Sequence, residues 1–235
     1  MTNKQRKAKN AYERERRRLH RIHQFERAAR ERGFIFVGGI DEVGRGPLAG
    51  PVVAACVVAS EPLMLRGLND SKQVKPELRT ELASEIKARC CAWSIGSATV
   101  AEIDRLNIYW ASVLAMERAL AALSTLPEYL ITDAVRIKSF TGPQEPLIKG
   151  DARCAVVAAA SIVAKVHRDQ LLRELHEIEP RYGFADHKGY ATPEHLRALK
   201  EHGPSTHHRS GWWRVREAQL AFGFSLNEAE AAFGA

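Results

Sequence analysis

The protein has 235 residues, of which 45% are hydrophobic and 27% are charged, close to the average composition of a soluble domain. This composition excludes collagen-like, wholly disordered and coiled-coil proteins, and no stretch approaches the roughly 20 apolar residues that span a bilayer. The formal net charge is +7 and is unevenly placed, because residues 1–33 hold twelve Lys/Arg against four Glu while the remaining chain is nearly neutral.

The basic segment, residues 1–33, is the first predicted element. Residues 3–32 contain no Pro or Gly and few strongly apolar residues, which predicts a charged helix or a frayed tail, with disorder in the first ten residues. The segment lacks the apolar core of a secretory signal, so we expect a cytoplasmic protein. A basic extension on a neutral body is typical of proteins with a polyanionic partner, most often nucleic acid; a merely solvated extension is the alternative.

Alternating strands and helices are predicted to follow this segment. Apolar runs predict strands at residues 34–40, 52–59, 91–100 and 129–135. Helical periodicity predicts helices at residues 77–90, 101–123, 155–175 and about 193–202. Between the first two strands, the glycines and prolines of GRGPLAGP (44–51) predict a sharp turn. This order of elements indicates a layered α/β domain.

Four carboxylates coincide with the ends of predicted elements: Asp41 and Glu42 close the first strand, Asp133 closes a later strand, and Asp151 opens a helix. Carboxylates beside an apolar sheet are costly unless they are paired or bound to cations. Oxygen ligands without a His/Cys cluster favour Mg²⁺ or Mn²⁺ over zinc. One interpretation is therefore a site for two divalent cations. Taken singly, Asp151 is equally well explained as a helix cap and Asp133 as a turn residue.

The turn after the first strand bears on this interpretation. Adjacent strand residues face opposite sides of a sheet, so Asp41 and Glu42 share one cavity only if the break at Gly44–Pro47 redirects Glu42. The GRG sequence at 44–46 also lets a ligand approach the backbone closely, and Arg45 can meet a phosphate. A plain tight turn explains the same residues.

Several long blocks of sequence occur in a specific order: GIDEVGRGPLAGPVVAACVV, LNDSK, EIDRLNI with LAMERAL, KGDARCAVVAAASIVAKVHRD, YGFADHKGYATPEHL and HGPSTHHRS. In order and spacing they resemble bacterial type 2 ribonuclease H (ribonuclease HII) over roughly residues 34–217. The resemblance implies an α/β ribonuclease H-like fold, with a mixed five-stranded sheet flanked by helices and a helical C-terminal portion. Residues 218–235 are then a C-terminal tail.

The resemblance implies an endonuclease that hydrolyses the RNA strand of RNA–DNA hybrids. It also implies cleavage 5′ of single ribonucleotides embedded in duplex DNA, leaving 3′-hydroxyl and 5′-phosphate ends. The family's catalytic ligands for two Mn²⁺ or Mg²⁺ ions fall on Asp41, Glu42, Asp133 and Asp151. Its ribonucleotide-sensing turn falls on Gly44, Arg45 and Gly46, and its sugar-contacting tyrosine falls on Tyr190.

Five further polar residues in or near the matched blocks are expected to contact substrate phosphates: Ser71, Lys72, Lys149, Lys165 and Arg168. The resemblance does not assign the histidines a metal, and His187, His207 and His208 are expected on the surface or in packing. The chain departs from the family at Gly211-Trp212, where a Ser-Phe pair is usual, which leaves local packing or a substrate contact in doubt.

Partners and alternatives complete the expectations. Gln219-Leu220-Ala221-Phe222 faintly resembles a sliding-clamp-binding peptide, with ordinary amphipathic packing as the alternative, and we expect a monomer. Ribonuclease HIII is a competing family, but it typically carries Gly-Lys-Gly after its acidic pair and a folded N-terminal platform domain. A nucleic-acid-binding protein with a decayed site is the alternative outside enzymes.

Overall fold

A mixed five-stranded sheet forms the centre of the structure, a computed structural model that describes residues 2–223. Its strands are β1 (Val37–Val43), β2 (Val52–Ala59), β3 (Ala92–Ala98), β4 (Tyr129–Asp133) and β5 (Gln144–Leu147), in the order β3-β2-β1-β4-β5. β1 pairs antiparallel with β2 and parallel with β4. The pairs β2–β3 and β4–β5 are antiparallel and parallel, respectively. The predicted mixed five-stranded α/β sheet is confirmed.

Nine α-helices and one short 3-10 turn surround this sheet within residues 2–223. The helices are α1 (Asn3–Ile22), α2 (Gln24–Glu31), α3 (Pro76–Arg89), α4 (Val100–Ala121), α5 (Gly150–Arg153), α6 (Ala155–Ile178), α7 (Phe184–His187), α8 (Pro193–His202) and α9 (Trp213–Ala221), and the 3-10 turn is Pro180–Tyr182. Within these residues no helix is both long and apolar enough to cross a bilayer.

The two long helices α4 and α6 cover opposite faces of the sheet. Along β2, Ala54 and Cys56 belong to the cluster beneath α4, whereas Ala55 and Val57 belong to the cluster beneath α6, as the two-residue period of a strand requires. α6 lies unusually close to β1, because a Cβ on Gly39 would fall 2.3 Å from the backbone of Val156. This close packing fixes α6 relative to the end of β1.

Two local features differ from the predicted elements. β1 begins at Val37 and ends at Val43, so the acidic pair lies inside the strand, whereas the sequence placed the pair after residue 40. β5 was not predicted, because its four residues, Gln144–Leu147, include a proline and alternate poorly. As an edge strand, β5 tolerates Pro146, which has no N–H to donate.

The amino-terminal segment packs onto the body. Leu19, Ile22 and Ala29 are buried in the main hydrophobic cluster with α6 and the sheet. The helix begins at Asn3 with Thr2 as its N-cap and a reciprocal bond between Thr2 and Gln5. The basic segment is therefore helical from Asn3, and its second half packs on the body.

Candidate active site

The parallel pairing of β1 with β4 brings two of the expected acids to one edge of the sheet. Ile40 pairs with Thr132, so the next residues, Asp41 within β1 and Asp133 at the end of β4, lie side by side on neighbouring strands. The Gly150 amide donates a 2.8 Å hydrogen bond to Asp133 Oδ1, which holds the start of α5 against β4. Asp151, the second residue of α5, is thereby placed at the same edge.

The four acids interact through their charges. Burial raises the pKa of Asp41 well above its usual value, and the carboxylates of Glu42, Asp133 and Asp151 raise it further. Burial also raises the pKa of Glu42, against the neighbouring guanidinium of Arg45. The structure therefore brings together four groups that repel one another when ionised.

The carboxylate oxygens do not converge into a finished coordination site. Among residues 2–223, no three or more His, Cys, Asp or Glu side chains are arranged to hold a metal ion. Two of the acids instead face cations, since Arg45 Nη1 lies 3.2 Å from Glu42 Oε1 and Lys72 Nζ lies 4.0 Å from Asp151 Oδ2. The structure therefore brings the four acids close together without arranging their oxygens around one position, and their role as metal ligands stays a prediction.

The donor chemistry nevertheless fits a hard divalent cation. Glu42 Oε2 is buried and has no hydrogen-bond partner among the described residues, and the donors are carboxylate oxygens, which Mg²⁺ and Mn²⁺ prefer. A bound divalent cation would remove the mutual repulsion that raises the pKa of Asp41. Such a cation competes with Arg45 for Glu42 and with Lys72 for Asp151.

Two buried arginines, Arg168 and Arg209, pack against the turn that follows β1. Gly44 has a φ of +96°, and a Cβ there would lie 2.2 Å from Nε of Arg168, so both conformation and space require glycine. Arg209 donates to the carbonyls of Gly44 at 2.6 Å, Arg45 at 3.0 Å and Gly50 at 2.9 Å. The turn is therefore a preorganised piece of backbone.

Arg168 does not have the position that a phosphate contact needs. Its side chain is fully buried and donates to the carbonyls of Ala49, Pro51 and Lys188, each at 3.1 Å. With its donors used internally, the guanidinium supports the turn and the loop before Tyr190. The expected phosphate contact of Arg168 is corrected accordingly.

Lys165 and Ser71 are also engaged inside the protein. The Lys165 ammonium contacts Asp169, whose other oxygen lies 3.3 Å from Arg79 Nη1. Ser71 is buried, and its hydroxyl is 3.0 Å from that of Ser161 on α6. Ser71 is buried and Lys165 is mostly buried and paired with Asp169, so the phosphate contacts expected for them are not supported.

The other two lysines lie at the exposed rim beside Asp151. Lys72 is exposed and approaches Asp151, and Lys149 is exposed at the N-cap of α5 in a left-handed conformation. Tyr190, 41% exposed, faces the glycine turn, since a Cβ on Gly46 would lie 3.7 Å from its Cε1. Lys72 therefore lies beside Asp151, Lys149 precedes the helix that carries Asp151, and Tyr190 lies beside the glycine turn.

A chain of buried histidines supports Tyr190. The Ser205 amide donates to His208 Nδ1 at 3.0 Å, His208 Nε2 lies 3.0 Å from His195 Nε2, and His195 Nδ1 lies 2.9 Å from the Tyr190 carbonyl. Because His208 Nδ1 accepts, its proton lies on Nε2, and His195 then donates from Nδ1 to Tyr190. His187 stacks on His195 at 4.4 Å between ring centroids. The expected packing role of His208 agrees with this burial.

The sequence patterns do not indicate the burial of Arg209, the His195–His208 contact or the bonds by which Arg168 supports the turn. Arg209 lies in the block HGPSTHHRS, but nothing in that pattern indicates that its side chain is buried. At the departure from the family pattern, the Gly211 amide donates to Asp104 Oδ1 at 3.2 Å and the Arg209 guanidinium lies 5.0 Å from the centre of the Trp212 ring. Gly211 and Trp212 therefore each contact a partner in the body of the protein.

Comparison with known proteins gives a consistent result. Residues 38–215 match the family model described as Ribonuclease HII. Over 191 residues the chain is 51% identical to a ribonuclease HII of Solibacter usitatus (strain Ellin6076), covering 81% of this chain and 83% of that protein. Its fold is similar to the ribonuclease H2 from Pyrococcus horikoshii OT3, with a TM-score of 0.67, 27% identity, and coverage of 80% of this chain and 98% of that one.

A second similar structure is the complex of PCNA with RNase HII from Archaeoglobus fulgidus. It matches with a TM-score of 0.57 and 28% identity, covering 75% of this chain and 95% of that chain. Both matches follow nearly the whole length of the solved chains.

Proposed function

Because the chain belongs to the ribonuclease HII family, whose members are endoribonucleases acting on the RNA strand of RNA–DNA hybrids, we propose that it also cuts 5′ of single ribonucleotides embedded in duplex DNA. The products carry 3′-hydroxyl and 5′-phosphate ends. The observation that carries this proposal is the rigid backbone turn at Gly44–Gly46 facing Tyr190.

The turn has the chemistry to recognise a 2′-hydroxyl. Arg209 occupies the carbonyls of Gly44 and Arg45, whereas the amides of Arg45 and Gly46 donate to no acceptor within residues 2–223. Two free N–H groups beside a residue without a side chain can approach a ribose closely, and a 2′-hydroxyl accepts as well as donates. Tyr190 closes the other side of this space and offers a flat face to the adjoining sugar.

Metal ligation is assigned to Asp41, Glu42, Asp133 and Asp151. Two divalent cations, Mg²⁺ or Mn²⁺, held by these residues would activate a water and stabilise the leaving 3′-oxygen of the phosphodiester. The protein contributes a buried, mutually repelling set of oxygen donors, with Asp133 oriented by the Gly150 amide. The exposed amines of Lys72 and Lys149 hold the scissile phosphate at the rim.

The cell compartment and partners follow as part of the proposal. We place the protein in the cytoplasm and expect a monomer that acts on hybrids and on ribonucleotide-containing duplex DNA. The archaeal relative solved with PCNA supports a sliding-clamp partner. The Gln219–Phe222 segment fits that role only in part, since Leu220 and Phe222 are about half exposed whereas Gln219 is buried.

Cleavage of a DNA duplex with one embedded ribonucleotide tests this function directly. We expect a single cut 5′ of the ribonucleotide with Mg²⁺ or Mn²⁺ and none with a chelator. Activity on a continuous hybrid combined with failure on the single ribonucleotide would favour a ribonuclease HIII-like specificity. An inert protein with both substrates and both metals would favour the decayed, binding-only alternative.

A further inference from the structure

The first half of α1 stands clear of the rest of the molecule. Every side chain from Gln5 to Tyr12 is exposed. Among the residues of α1 whose burial the structure describes, the buried side chains, Leu19 and Ile22, lie in the second half, where Glu15 and Arg18 are partly buried. At 1.5 Å per residue, the free part from residue 3 to residue 12 extends by about 15 Å.

This helix carries an unneutralised positive charge. Two of its arginines are paired, Arg16 with Glu13 and Arg18 with Glu15. Six further cations of α1 form no ion pair with any described residue: Arg6, Lys7, Lys9, Arg14, Arg17 and Arg21. Arginines at spacings of three and four residues repel one another along a helix, and a polyanion relieves that repulsion.

The docked half places α1 beside the candidate active site. The Gly67 amide donates to Glu15 Oε1 at 2.9 Å, and Arg18 Nη2 donates to the Leu68 carbonyl at 2.8 Å. The same loop continues to Lys72, which approaches Asp151. α1 also packs against α5, the helix that carries Asp151. The helix therefore begins its projection at the rim of the site.

We propose that residues 3–21, here named the basic arm, bind the phosphates of a nucleic-acid duplex away from the bond that is cut. The arm lies outside the residues that match the family model, so family membership does not account for it. That the duplex is the substrate rests on the proposed function. Contacts between cations and phosphates carry no sequence information, so the arm raises affinity for DNA and hybrid duplexes alike.

The test uses the full chain with the double substitution Lys7→Gln/Arg14→Gln. Both residues lie in the exposed, unpaired set, and substitution avoids deleting Leu19 and Ile22 from the core. Binding of a fluorescent 20-base-pair DNA duplex is measured by anisotropy over a series of KCl concentrations in EDTA, which prevents turnover. Each lost phosphate contact lowers the slope of log K against log salt by about 0.9, so we expect a decrease of about 2.

The matched control is Lys87→Gln/Arg89→Gln at the end of α3, which removes the same net charge. α3 leads into β3, whose first residue, Ala92, pairs with Val58. The start of β3 therefore lies at the end of the sheet where β1 begins, and the acids lie at the opposite end of the strands. We expect the control to keep the wild-type slope, and both variants to keep the wild-type kcat at saturating duplex.

Two results overturn the proposal. One is an arm variant whose salt slope and affinity equal those of the wild type or of the control. The other is an arm variant that binds the duplex normally but loses binding to phosphatidylglycerol vesicles, which makes an anionic membrane the partner. Failure of the proposed function is a separate result, in which the wild type binds the duplex in EDTA yet leaves an embedded ribonucleotide uncut with Mg²⁺ or Mn²⁺.

Discussion

At the scale of single residues, Asp41 is the most constrained acid of the site. It is 4% exposed, and burial together with Glu42, Asp133 and Asp151 raises its pKa. A raised pKa means that ionised Asp41 weakens the fold at pH values above its ordinary 3.8. The residue is thus retained at a cost to stability, as expected of a metal ligand.

The substitution Asp41→Asn tests both statements. We expect turnover to fall by more than about a hundredfold, because a ligand is lost. At pH 7 we expect a stability gain on the order of 1 kcal/mol, because a buried charge is removed, and the gain should disappear as pH falls below about 4. Urea denaturation and single-ribonucleotide cleavage are the measurements; an Asn variant with near-normal turnover contradicts the assignment.

The glycines of the turn provide a matched pair of substitutions. A Cβ at Gly46 makes only ordinary contact with Tyr190 at 3.7 Å, whereas a Cβ at Gly44 collides with Arg168 at 2.2 Å. We expect Gly46→Ala to keep the wild-type melting temperature but to lower kcat/KM for an embedded ribonucleotide about tenfold, because the methyl group fills the ribose space. Gly44→Ala should instead lower the melting temperature. Unchanged cleavage by Gly46→Ala would remove the turn from substrate recognition.

At the scale of elements, α2 stabilises the start of α6 from a distance of 130 residues. Glu26 Oε1 accepts the Val156 amide at 2.8 Å, whereas the N-cap of α6, Cys154, makes no side-chain cap. The carboxylate also lies near the positive end of the helix dipole. The basic segment therefore supports the helix that directly follows Asp151.

Removal of this cap should destabilise the protein. We expect Glu26→Ala to lower the free energy of unfolding by about 1–3 kcal/mol, the cost of leaving a buried N–H without a partner. Glu31→Ala, an exposed substitution on the same helix, is the control and should change stability by less than about 0.5 kcal/mol. Chemical denaturation measures both, and equal stabilities would show that α2 does not cap α6.

At the scale of the whole molecule, the buried histidines couple folding to pH. Burial lowers the pKa of His208 to about 3 and that of His195 to about 4, below the ordinary value of 6.5. The unfolded chain therefore binds more protons than the folded one below pH 6.5, so stability is lost as pH falls. At pH 5 one such histidine lowers the free energy of unfolding by about 2 kcal/mol relative to its value at neutral pH.

The substitution His208→Gln isolates this contribution. We expect the loss of unfolding free energy between pH 7.5 and pH 5.0 to shrink by about 2 kcal/mol relative to the wild type, even though the variant is less stable at pH 7.5. His20→Gln, at an exposed position of α1, is the control that removes a histidine outside the buried pair. An unaltered pH dependence in His208→Gln would mean that His208 has the same pKa in the folded and the unfolded protein.

The prediction from sequence succeeded where the signal is local and periodic. Apolar runs located β2 and β4, and the quoted blocks identified the family and the five-stranded fold, which are confirmed. β5 was missed because a four-residue edge strand containing Pro146 has no distinctive pattern. The assignments of the metal ligands and of Tyr190 stay predictions, supported by their proximity in the structure.

The sequence by itself determined the alternation of strands and helices, the position of Asp133 at the end of a strand, and the concentration of positive charge before residue 34. These properties depend on neighbours along the chain. Only the tertiary structure decided that Arg168 and Arg209 are buried beneath the turn and that Glu26 caps α6. The physical reason is that the burial and bonding of a long polar side chain depend on carbonyls and amides supplied by segments more than a hundred residues away, which no local pattern specifies.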